Sequence, residues 1–313
     1  MNRSDTLVIT GSNGFVGQSL IQYIDKLTPD LVPEKIVTIN RNKNVIEHSS
    51  LKSKIEYEDI QFDLCKPWDF EIANARVINL AADGSENSYT DMASERFFMI
   101  SENLSNWAIR NKPKSVFHAS SGACYGIVPL KIPSIDEPFS TEPISRKDSF
   151  IRARLQSEKL LQSVLPDRDI KLVIGRLFSF VGPTLLQKKQ YAISSLINSA
   201  ITSNKVVVNG NPATVRSFLH EVEMSSWIYK ALNIDVQSSL LSIGSAIGVR
   251  ISELAELIAV VTGTHVEYLN PTAFGDIYVA DNSSTLERLG VSETKNWQDG
   301  VMECIEISKG LKN

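Results

Sequence analysis

Three glycines, Gly11, Gly14 and Gly17, directly follow the short β-branched run TLVIT and open a helical segment. Glycine lets a backbone turn tightly and approach a ligand closely, and the amide groups at a helix N-terminus attract phosphate. The triplet alone is a weak signal, because tight turns also use glycine for steric reasons. In this strand–turn–helix context, however, we predict that the turn binds the pyrophosphate of a dinucleotide.

A second feature with possible chemistry is an aromatic and a cation on one predicted helix, in the segment DSFIRARLQSEKLL (148–161). Phe150 and Arg154 are four residues apart, so on a helix they share a face. The pair is either ordinary surface packing or the altered remains of a catalytic pair.

The elements that must position these residues alternate between strand and helix through the first half of the chain. Short apolar runs predict strands at 6–10, 35–40, 76–82, 115–121 and 171–178. Between the last three of these, amphipathic segments predict helices near 92–110 and 146–165. This alternation is typical of an α/β fold with a doubly wound parallel (Rossmann) sheet.

The regular alternation ends near residue 180, which suggests a second lobe. We predict a dinucleotide-binding domain over 1–178, to which part of 216–243 returns, and a smaller C-terminal α/β substrate lobe over 179–313. Within that lobe, residues 252–263 predict a helix that ends at a glycine cap, followed by a strand at 265–269.

Bulk composition excludes some classes of partner. The 313 residues are 42% hydrophobic and 22% charged, with a net charge of −4, which gives no electrostatic reason to expect nucleic acid or a membrane as partner. The three cysteines, Cys65, Cys124 and Cys304, have no metal-ligand spacing, so no metal site is predicted. Neither a signal-peptide core nor an apolar stretch of ~20 residues occurs, so we expect a cytoplasmic protein.

Several segments, taken in order, resemble one family over nearly the whole chain. They are ITGSNGFVG, FDLCKP, VINLAA, HASSGACYG, GRLFSFVGP, VRSFLHEVEM and VADNSSTLERLGV. Together they are similar to motifs of the extended short-chain dehydrogenase/reductases, the NAD-dependent epimerases and dehydratases of nucleotide sugars. The motifs are specific for the family and much less so for the reaction.

The resemblance implies a nicotinamide dinucleotide and a set of residues that contact it. These are Gly11, Asn13, Gly14, Phe15, Val16, Gly17, Asn40, Arg41, Asp63, Leu64, Leu80, Ala81, Ala82 and Arg154. Asn40 stands where NAD users of the family carry an acid, and Arg41 could pair with a 2′-phosphate, which favours NADP over NAD. The alternative is that Arg41 is only a solvated loop residue.

The same resemblance places Phe150 and Arg154 on the Tyr and Lys of the family's catalytic YxxxK motif. Phenylalanine has no hydroxyl to transfer a proton, and arginine is always charged, so the family's ordinary mechanism cannot operate. Ser121 matches the family's active-site Ser/Thr. Tyr125 is a further catalytic candidate, although its family counterpart usually packs in the sugar pocket.

The loop after Ser121 discriminates between reactions. Dehydratases of the family carry an Asp and a Glu there, and Gly122 and Ala123 replace them. Neither can act as an acid or a base, which argues against a 4,6-dehydratase. A C4 epimerase, a 4-ketoreductase or a protein that has lost catalysis remain.

The resemblance also nominates residues that contact the substrate, a nucleotide-diphosphate sugar. They are Ser121, Ser179, Arg216 and Asp281. Arg216 could bind the diphosphate with its paired donors or make a structural salt bridge. Asp281 could equally cap the helix that follows it.

The sequence therefore predicts a nucleotide-sugar 4-ketoreductase or C4 epimerase of surface polysaccharide biosynthesis. The alternative is a catalytically impaired protein that binds NAD(P) and a nucleotide sugar in a regulatory or structural role. A homodimer, formed through the helices near 92–110 and 146–165, is what the family leads us to expect.

Overall fold

A computed structural model describes residues 5–42, 51, 54–82, 89–126, 128–129, 148–187 and 191–310. Its main feature is a seven-stranded sheet. The strands of this sheet are β1 (Thr6–Thr10), β2 (Lys35–Asn40), β3 (Glu56–Gln61), β4 (Ala75–Asn79), β5 (Ser115–Ser121), β7 (Lys171–Leu177) and β12 (Ser238–Ile243).

The strand order of this sheet is β12-β7-β5-β4-β1-β2-β3. β1 pairs in parallel with β2 on one side and with β4 on the other. After β3 the chain crosses to the other side of β1, where β4 adds, so β1 is the switch point of the strand order. In open α/β sheets, ligands bind outside the carboxyl ends of the strands at such a switch point. The predicted doubly wound α/β fold is confirmed, and the glycine turn directly follows the switch strand.

β3 is not among the strands predicted from the sequence. Its sequence, EYEDIQ, is mostly charged or polar and is exposed along one edge of the sheet. Lys35 of β2 forms ion pairs with Glu56 and Glu58 at 2.7 and 2.9 Å. An edge strand needs no continuous apolar run, and charged residues there also discourage pairing with other chains.

The helices are α1 (Phe15–Asp25), α2 (Asp91–Asn111), α3 (Asp148–Val164), α4 (Ala192–Ser203), α5 (Glu221–Ala231), α6 (Ile251–Thr262), α7 (Ser283–Leu289) and α8 (Trp297–Gly310). The helices predicted near 92–110 and 146–165 are α2 and α3; residues 146–147 lie outside the described residues. α2 begins at Thr90, whose hydroxyl accepts a hydrogen bond from the Ala93 amide. α6 ends at Gly263, which has a φ of 70° as a glycine cap requires.

The core of the sheet fixes the two helices that carry most of the candidate site. Trp107 of α2 and Leu161 of α3 are both fully buried in one apolar cluster, together with Val77 of β4 and Val116 of β5. α2 and α3 pack against each other. Their relative rotation therefore determines which side chains of the two helices meet.

The chain divides into two compact units. The first is Met1–Cys124, Ile144–Arg176 and Ser225–Leu241, and the second is Tyr125–Pro143, Leu177–Met224 and Ser242–Asn313. The second unit contains β6 (Val128–Pro129), β8 (Phe180–Val181), β9 (Lys205–Asn209), β10 (Val215–Ser217), β11 (Leu219–His220), β13 (Gly248–Arg250), β14 (His265–Leu269) and β15 (Asp276–Tyr278).

The strands of the second unit form three small sheets. One has four strands in the order β13-β10-β15-β6, and the others pair β11 with β8 and β14 with β9. Of the helices described, none is long and apolar enough to cross a membrane.

Candidate functional site

The glycine turn after β1 is shaped by close backbone packing. Gly11 has a φ of 71°, and a Cβ there would lie 2.8 Å from the Cα of Ala81 at the end of the neighbouring strand β4. At Gly17 a Cβ would lie 2.5 Å from the Cα of Ser12. These positions therefore require glycine, and the turn presents backbone amides at the start of α1, which suits a pyrophosphate.

Asn40, at the end of β2, contacts this turn through two side-chain hydrogen bonds. Its side-chain oxygen accepts a hydrogen bond from the Asn13 amide at 3.2 Å, and its side-chain nitrogen donates to the Ser12 hydroxyl at 2.7 Å. Asn40 is buried, whereas the next residue, Arg41, is exposed. The asparagine thus holds the turn in place, and the arginine is available at the surface.

Asp63 begins the loop after β3. Its carboxylate accepts a hydrogen bond from the Cys65 amide at 3.2 Å and lies 3.3 Å from Arg96. Burial acts to raise the pKa of Asp63, but the amide and the arginine charge outweigh it and hold this pKa below its usual value. The carboxylate is therefore ionised at neutral pH.

The remaining predicted cofactor residues follow the strands β1, β3 and β4. Phe15 and Val16 open α1, and Leu64 is buried next to Asp63. Leu80, Ala81 and Ala82 follow β4, where the Leu80 amide donates to the Thr10 carbonyl at 3.2 Å. All of these residues belong to the first unit.

Phe150 and Arg154 meet on α3, as their spacing predicts. The guanidinium carbon of Arg154 lies 4.6 Å from the centre of the Phe150 ring and 3.3 Å from the centre of the Phe97 ring on α2. Cation–π attraction operates within about 6 Å, and it is stronger where water is excluded. Arg154 is only 9% exposed, so its charge is held in place by two aromatic rings.

Tyr89 adds a third ring to this group. Its ring centre lies 5.1 Å from that of Phe150, with the planes at 60° in an edge-to-face arrangement. Neither Tyr89 nor Phe97 is predicted from the sequence as a site residue. No spacing rule links either residue to α3, because both contacts depend on how α2 packs on α3.

Glu158, one helical turn after Arg154, ties α3 to the sheet. It is buried and accepts two hydrogen bonds from Arg176 of β7, at 3.0 and 2.7 Å, and one from Ser120 of β5 at 2.5 Å. A two-bond arginine–carboxylate pair is among the stronger charged contacts in proteins. The face of α3 that carries Phe150 and Arg154 is thereby fixed against β5 and β7.

Ser121 is the last residue of β5. Its hydroxyl oxygen accepts a hydrogen bond from the Ala123 amide at 3.2 Å, which caps the short 3-10 turn Gly122–Tyr125. It therefore stands at the carboxyl end of a central strand of the sheet, the edge at which ligands bind in such folds.

A chain of buried polar groups crosses three neighbouring strands at the same edge. The Thr10 hydroxyl donates to the Asn79 oxygen at 2.5 Å, and the Asn79 nitrogen lies 2.9 Å from Nδ1 of His118. With the amide oriented this way, Nδ1 accepts and the ring proton is on Nε2. Burial, and then the charge of Arg154, lower the pKa of His118 to about 3, so the ring is neutral.

The second unit holds the other predicted residues. Tyr125 is half exposed; its hydroxyl lies 3.0 Å from the Ser242 hydroxyl, and its ring stacks on Phe178 with centres 6.1 Å apart. Ser179 accepts a hydrogen bond from the Leu219 amide through its backbone carbonyl. These contacts pack Tyr125 within the second unit, and its catalytic role stays a prediction.

Arg216 and Asp281 make the contacts that the alternative interpretations describe. Arg216 forms an ion pair with Asp276 at 2.7 Å and lies 5.9 Å above the ring of Tyr278. Asp281 accepts hydrogen bonds from the amide and the hydroxyl of Ser283 at 3.1 and 2.6 Å, at the start of α7. Both carboxylates and the guanidinium thus already have partners within the second unit.

Comparison with known proteins yields one family and several similar folds. The sequence model of the NAD dependent epimerase/dehydratase family matches residues 7–244. An uncharacterized protein of Methanocaldococcus jannaschii is 23% identical over 322 residues, which is 98% of this chain and 94% of that protein.

Two solved structures resemble the chain over nearly its whole length. MoeE5 in complex with UDP-glucuronic acid and NAD has a TM-score of 0.78 and 22% identity, covering 98% of this chain and 99% of that one. A UDP-N-acetylglucosamine 4-epimerase from Methanobrevibacter ruminantium M1, bound to UDP-N-acetylmuramic acid, has a TM-score of 0.77 and 20% identity, with coverages of 98% and 99%. At these identities the likeness is one of fold.

Proposed function

The chain belongs to the NAD dependent epimerase/dehydratase family, and we propose that it is a nucleotide-diphosphate-sugar oxidoreductase that acts at C4 of the sugar. A 4-ketoreductase or a C4 epimerase is the reaction we favour. The family confirms the resemblance seen in the sequence motifs and the nicotinamide cofactor, with NAD as the form bound in similar structures. The preference for NADP stays a prediction that rests on Arg41.

The observation that carries the proposal is the glycine turn at the switch point of the sheet. Gly11 and Gly17 have no room for a side chain, and Asn40 braces the turn through Asn13 and Ser12. A bound NAD would supply hydride exchange with the sugar. The protein's part is to hold the pyrophosphate over the amides of α1 and to present Ser121 at the carboxyl end of β5, with Arg154 on the helix α3 that packs on this strand.

The choice of reaction is supported by what the 3-10 turn lacks. Gly122 is buried and Ala123 is half-buried, and neither has a group that could remove or supply a proton. Elimination of a C6 hydroxyl requires an acid and a base near C5 and C6. Exchange of hydride at C4 without elimination requires neither of them at this turn.

A panel of nucleotide sugars tests the proposal. The purified protein is incubated with NAD(H) or NADP(H) and UDP-glucose, UDP-glucuronic acid, UDP-N-acetylglucosamine or a dTDP-4-keto-6-deoxy sugar. Reduction is followed by the absorbance of the reduced nicotinamide, and epimerisation by chromatography of the sugar, because epimerisation consumes no net cofactor. Conversion of at least one sugar supports the proposal, and no conversion of any sugar contradicts it.

The second candidate is a protein that binds NAD(P) and a nucleotide sugar without turnover. The observation that favours it is Phe150, which has no hydroxyl at the position of the family's catalytic tyrosine. Tight binding of the same panel without conversion would favour this candidate. The double variant Phe150→Tyr with Arg154→Lys should then gain activity if the pocket is otherwise intact.

We also propose a homodimer formed through α2 and α3. Met92 and Met99 are exposed and lie seven residues apart, hence on one face of α2, and Leu155 of α3 is exposed as well. Light scattering tests the dimer, and Met92→Lys with Met99→Lys should weaken it.

We further propose that the protein acts in the cytoplasm on nucleotide sugars that are used to make surface polysaccharide. The polysaccharide content of a deletion strain tests this cellular role.

A further inference from the structure

We propose that Tyr89 supplies the phenol that position 150 lacks, and that it is the residue that exchanges a proton with the sugar's C4 oxygen. This inference rests on the proposed function and deepens it. A nucleotide-sugar reductase needs a proton donor near C4, and proton transfer by a placed group is worth ~10²–10⁴ in rate. Neither Phe150 nor Arg154 can be that donor at neutral pH.

The placement of Tyr89 supports this role. It immediately precedes the N-cap of α2, and its ring meets Phe150 edge to face at 5.1 Å. Since a phenol oxygen projects from its ring, a tyrosine in contact with Phe150 can bring its hydroxyl close to where a hydroxyl on residue 150 would lie. Tyr89 is 46% exposed, so a ligand can reach it.

The guanidinium carbon of Arg154 lies 4.6 Å from the centre of the Phe150 ring, which Tyr89 also contacts. Arg154 is nearly buried, so its positive charge is held in a fixed position beside the Phe150 ring. The aromatic group of Tyr89, Phe150, Phe97 and Arg154 thus joins a phenol and a fixed cation. The family's Tyr and Lys provide the same two functions from one helix.

The other tyrosines of the first unit lie elsewhere. The hydroxyl of Tyr23 donates to Ser226, that of Tyr57 meets Thr38, and that of Tyr229 donates to the Leu31 carbonyl. In the described part of this unit, Tyr89 is therefore the tyrosine whose ring contacts Phe150.

In the reductive direction, a bound NADH would supply a hydride to the C4 carbonyl carbon of the sugar and would itself be oxidised to NAD, and the carbonyl π electrons would move to O4. The O–H bond of Tyr89 breaks, its proton bonds to O4, and its electron pair stays on the phenolate oxygen. Because Tyr89 is partly exposed, the phenolate regains a proton from water.

The variant Tyr89→Phe tests the role of the hydroxyl while keeping the ring contact. With a 4-keto probe that the wild type reduces, we expect kcat to fall about 100-fold or more, while KM and the affinity for NADH stay unchanged. Tyr57→Phe is the matched control, because it removes a tyrosine hydroxyl from the same unit, away from α3. Adding Phe150→Tyr to Tyr89→Phe should restore much of the lost rate.

The outcomes separate the two proposals. A wild type that converts none of the sugars refutes the proposed function together with the role of Tyr89. An active wild type with an equally active Tyr89→Phe variant refutes only the role of Tyr89, and so does a fall in kcat that Phe150→Tyr fails to reverse.

A second readout does not depend on turnover. Nitration by tetranitromethane, located by peptide mass spectrometry, reports how accessible each tyrosine is. NAD together with UDP-glucose, at concentrations that calorimetry shows to be saturating, should protect Tyr89. Tyr191, at 40% exposed a similar target in the second unit, is the internal comparison and should react as before. Equal nitration of Tyr89 with and without ligands would overturn the proposal.

Discussion

His118 makes the stability of the protein depend on pH in a way that can be calculated. Burial, and then Arg154, lower its folded-state pKa to about 3 from an ordinary value of 6.5. Above pH 6.5 the ring is neutral in both the folded and the unfolded chain, so it has no effect. Below pH 6.5 the unfolded chain binds a proton that the folded chain cannot bind, and the folded state loses stability.

The magnitude follows from the distance between the pH and the unfolded pKa. One pKa unit corresponds to about 1.4 kcal/mol. At pH 5 the gap to 6.5 is 1.5 units, so His118 should reduce the free energy of unfolding by about 2 kcal/mol relative to pH 7. This figure is almost the same for any folded pKa below about 4.

Urea unfolding at pH 7 and pH 5, followed by tryptophan fluorescence, measures this difference. His118→Asn keeps an oxygen that can accept from Asn79 but cannot take up a proton. We expect the wild type to lose about 2 kcal/mol more than this variant between the two pH values. His265→Asn is the control, because His265 is exposed on β14. Equal losses in the wild type and His118→Asn would refute a neutral, buried ring.

Three further predictions concern other residues of the first unit. Glu158→Gln removes the buried negative charge that pairs with Arg176 and should lower the free energy of unfolding by about 3 kcal/mol in urea. Gly17→Ala places a Cβ 2.5 Å from the Cα of Ser12 and should weaken NAD binding about tenfold or more by calorimetry. Arg41→Ala should weaken NADP binding several-fold, with little change for NAD, if this exposed arginine pairs with the 2′-phosphate.

Glu158→Gln and Gly17→Ala each have a matched control variant, and for Arg41→Ala the binding of NAD is the comparison. Asp235→Asn removes an exposed partner of Lys171 and should change stability little, in contrast to Glu158→Gln. A Cβ at Gly310 meets no atom within 4 Å, so Gly310→Ala should leave NAD binding intact. Equal effects of a variant and its control would contradict the packing or charge argument behind it, and equal losses for both dinucleotides would contradict the role of Arg41.

The sequence predicts the sheet well because its central strands are buried and apolar and its first turn requires glycine. β1, β2 and β5 match their predicted bounds, and the doubly wound fold is confirmed. β3 is not predicted, because an exposed edge strand carries charged residues instead of an apolar run. Short strands such as β8 and β11 are not predicted, because two residues are too few to show a hydrophobic periodicity.

The site is less predictable than the fold. The spacing of Phe150 and Arg154 predicts that they share one face of a helix, and in the structure the two side chains are in contact. Phe97 and Tyr89 are not predicted, because they contact α3 only through the packing of separate elements. The sequence shows His118 only as one residue of a predicted strand. Its low pKa depends on burial and on Arg154, which the sequence does not place beside it. The individual cofactor and substrate contacts stay predictions.

The aromatic enclosure of Arg154 has a consequence for ligand capture. A lysine at that position would sample many side-chain conformations in the free protein and would lose that freedom when it engages a ligand. The guanidinium, stacked on Phe97, has already given up most of its motion during folding. If Arg154 contacts the dinucleotide, as we propose, its cation is preorganised and little side-chain entropy would remain to be lost on association.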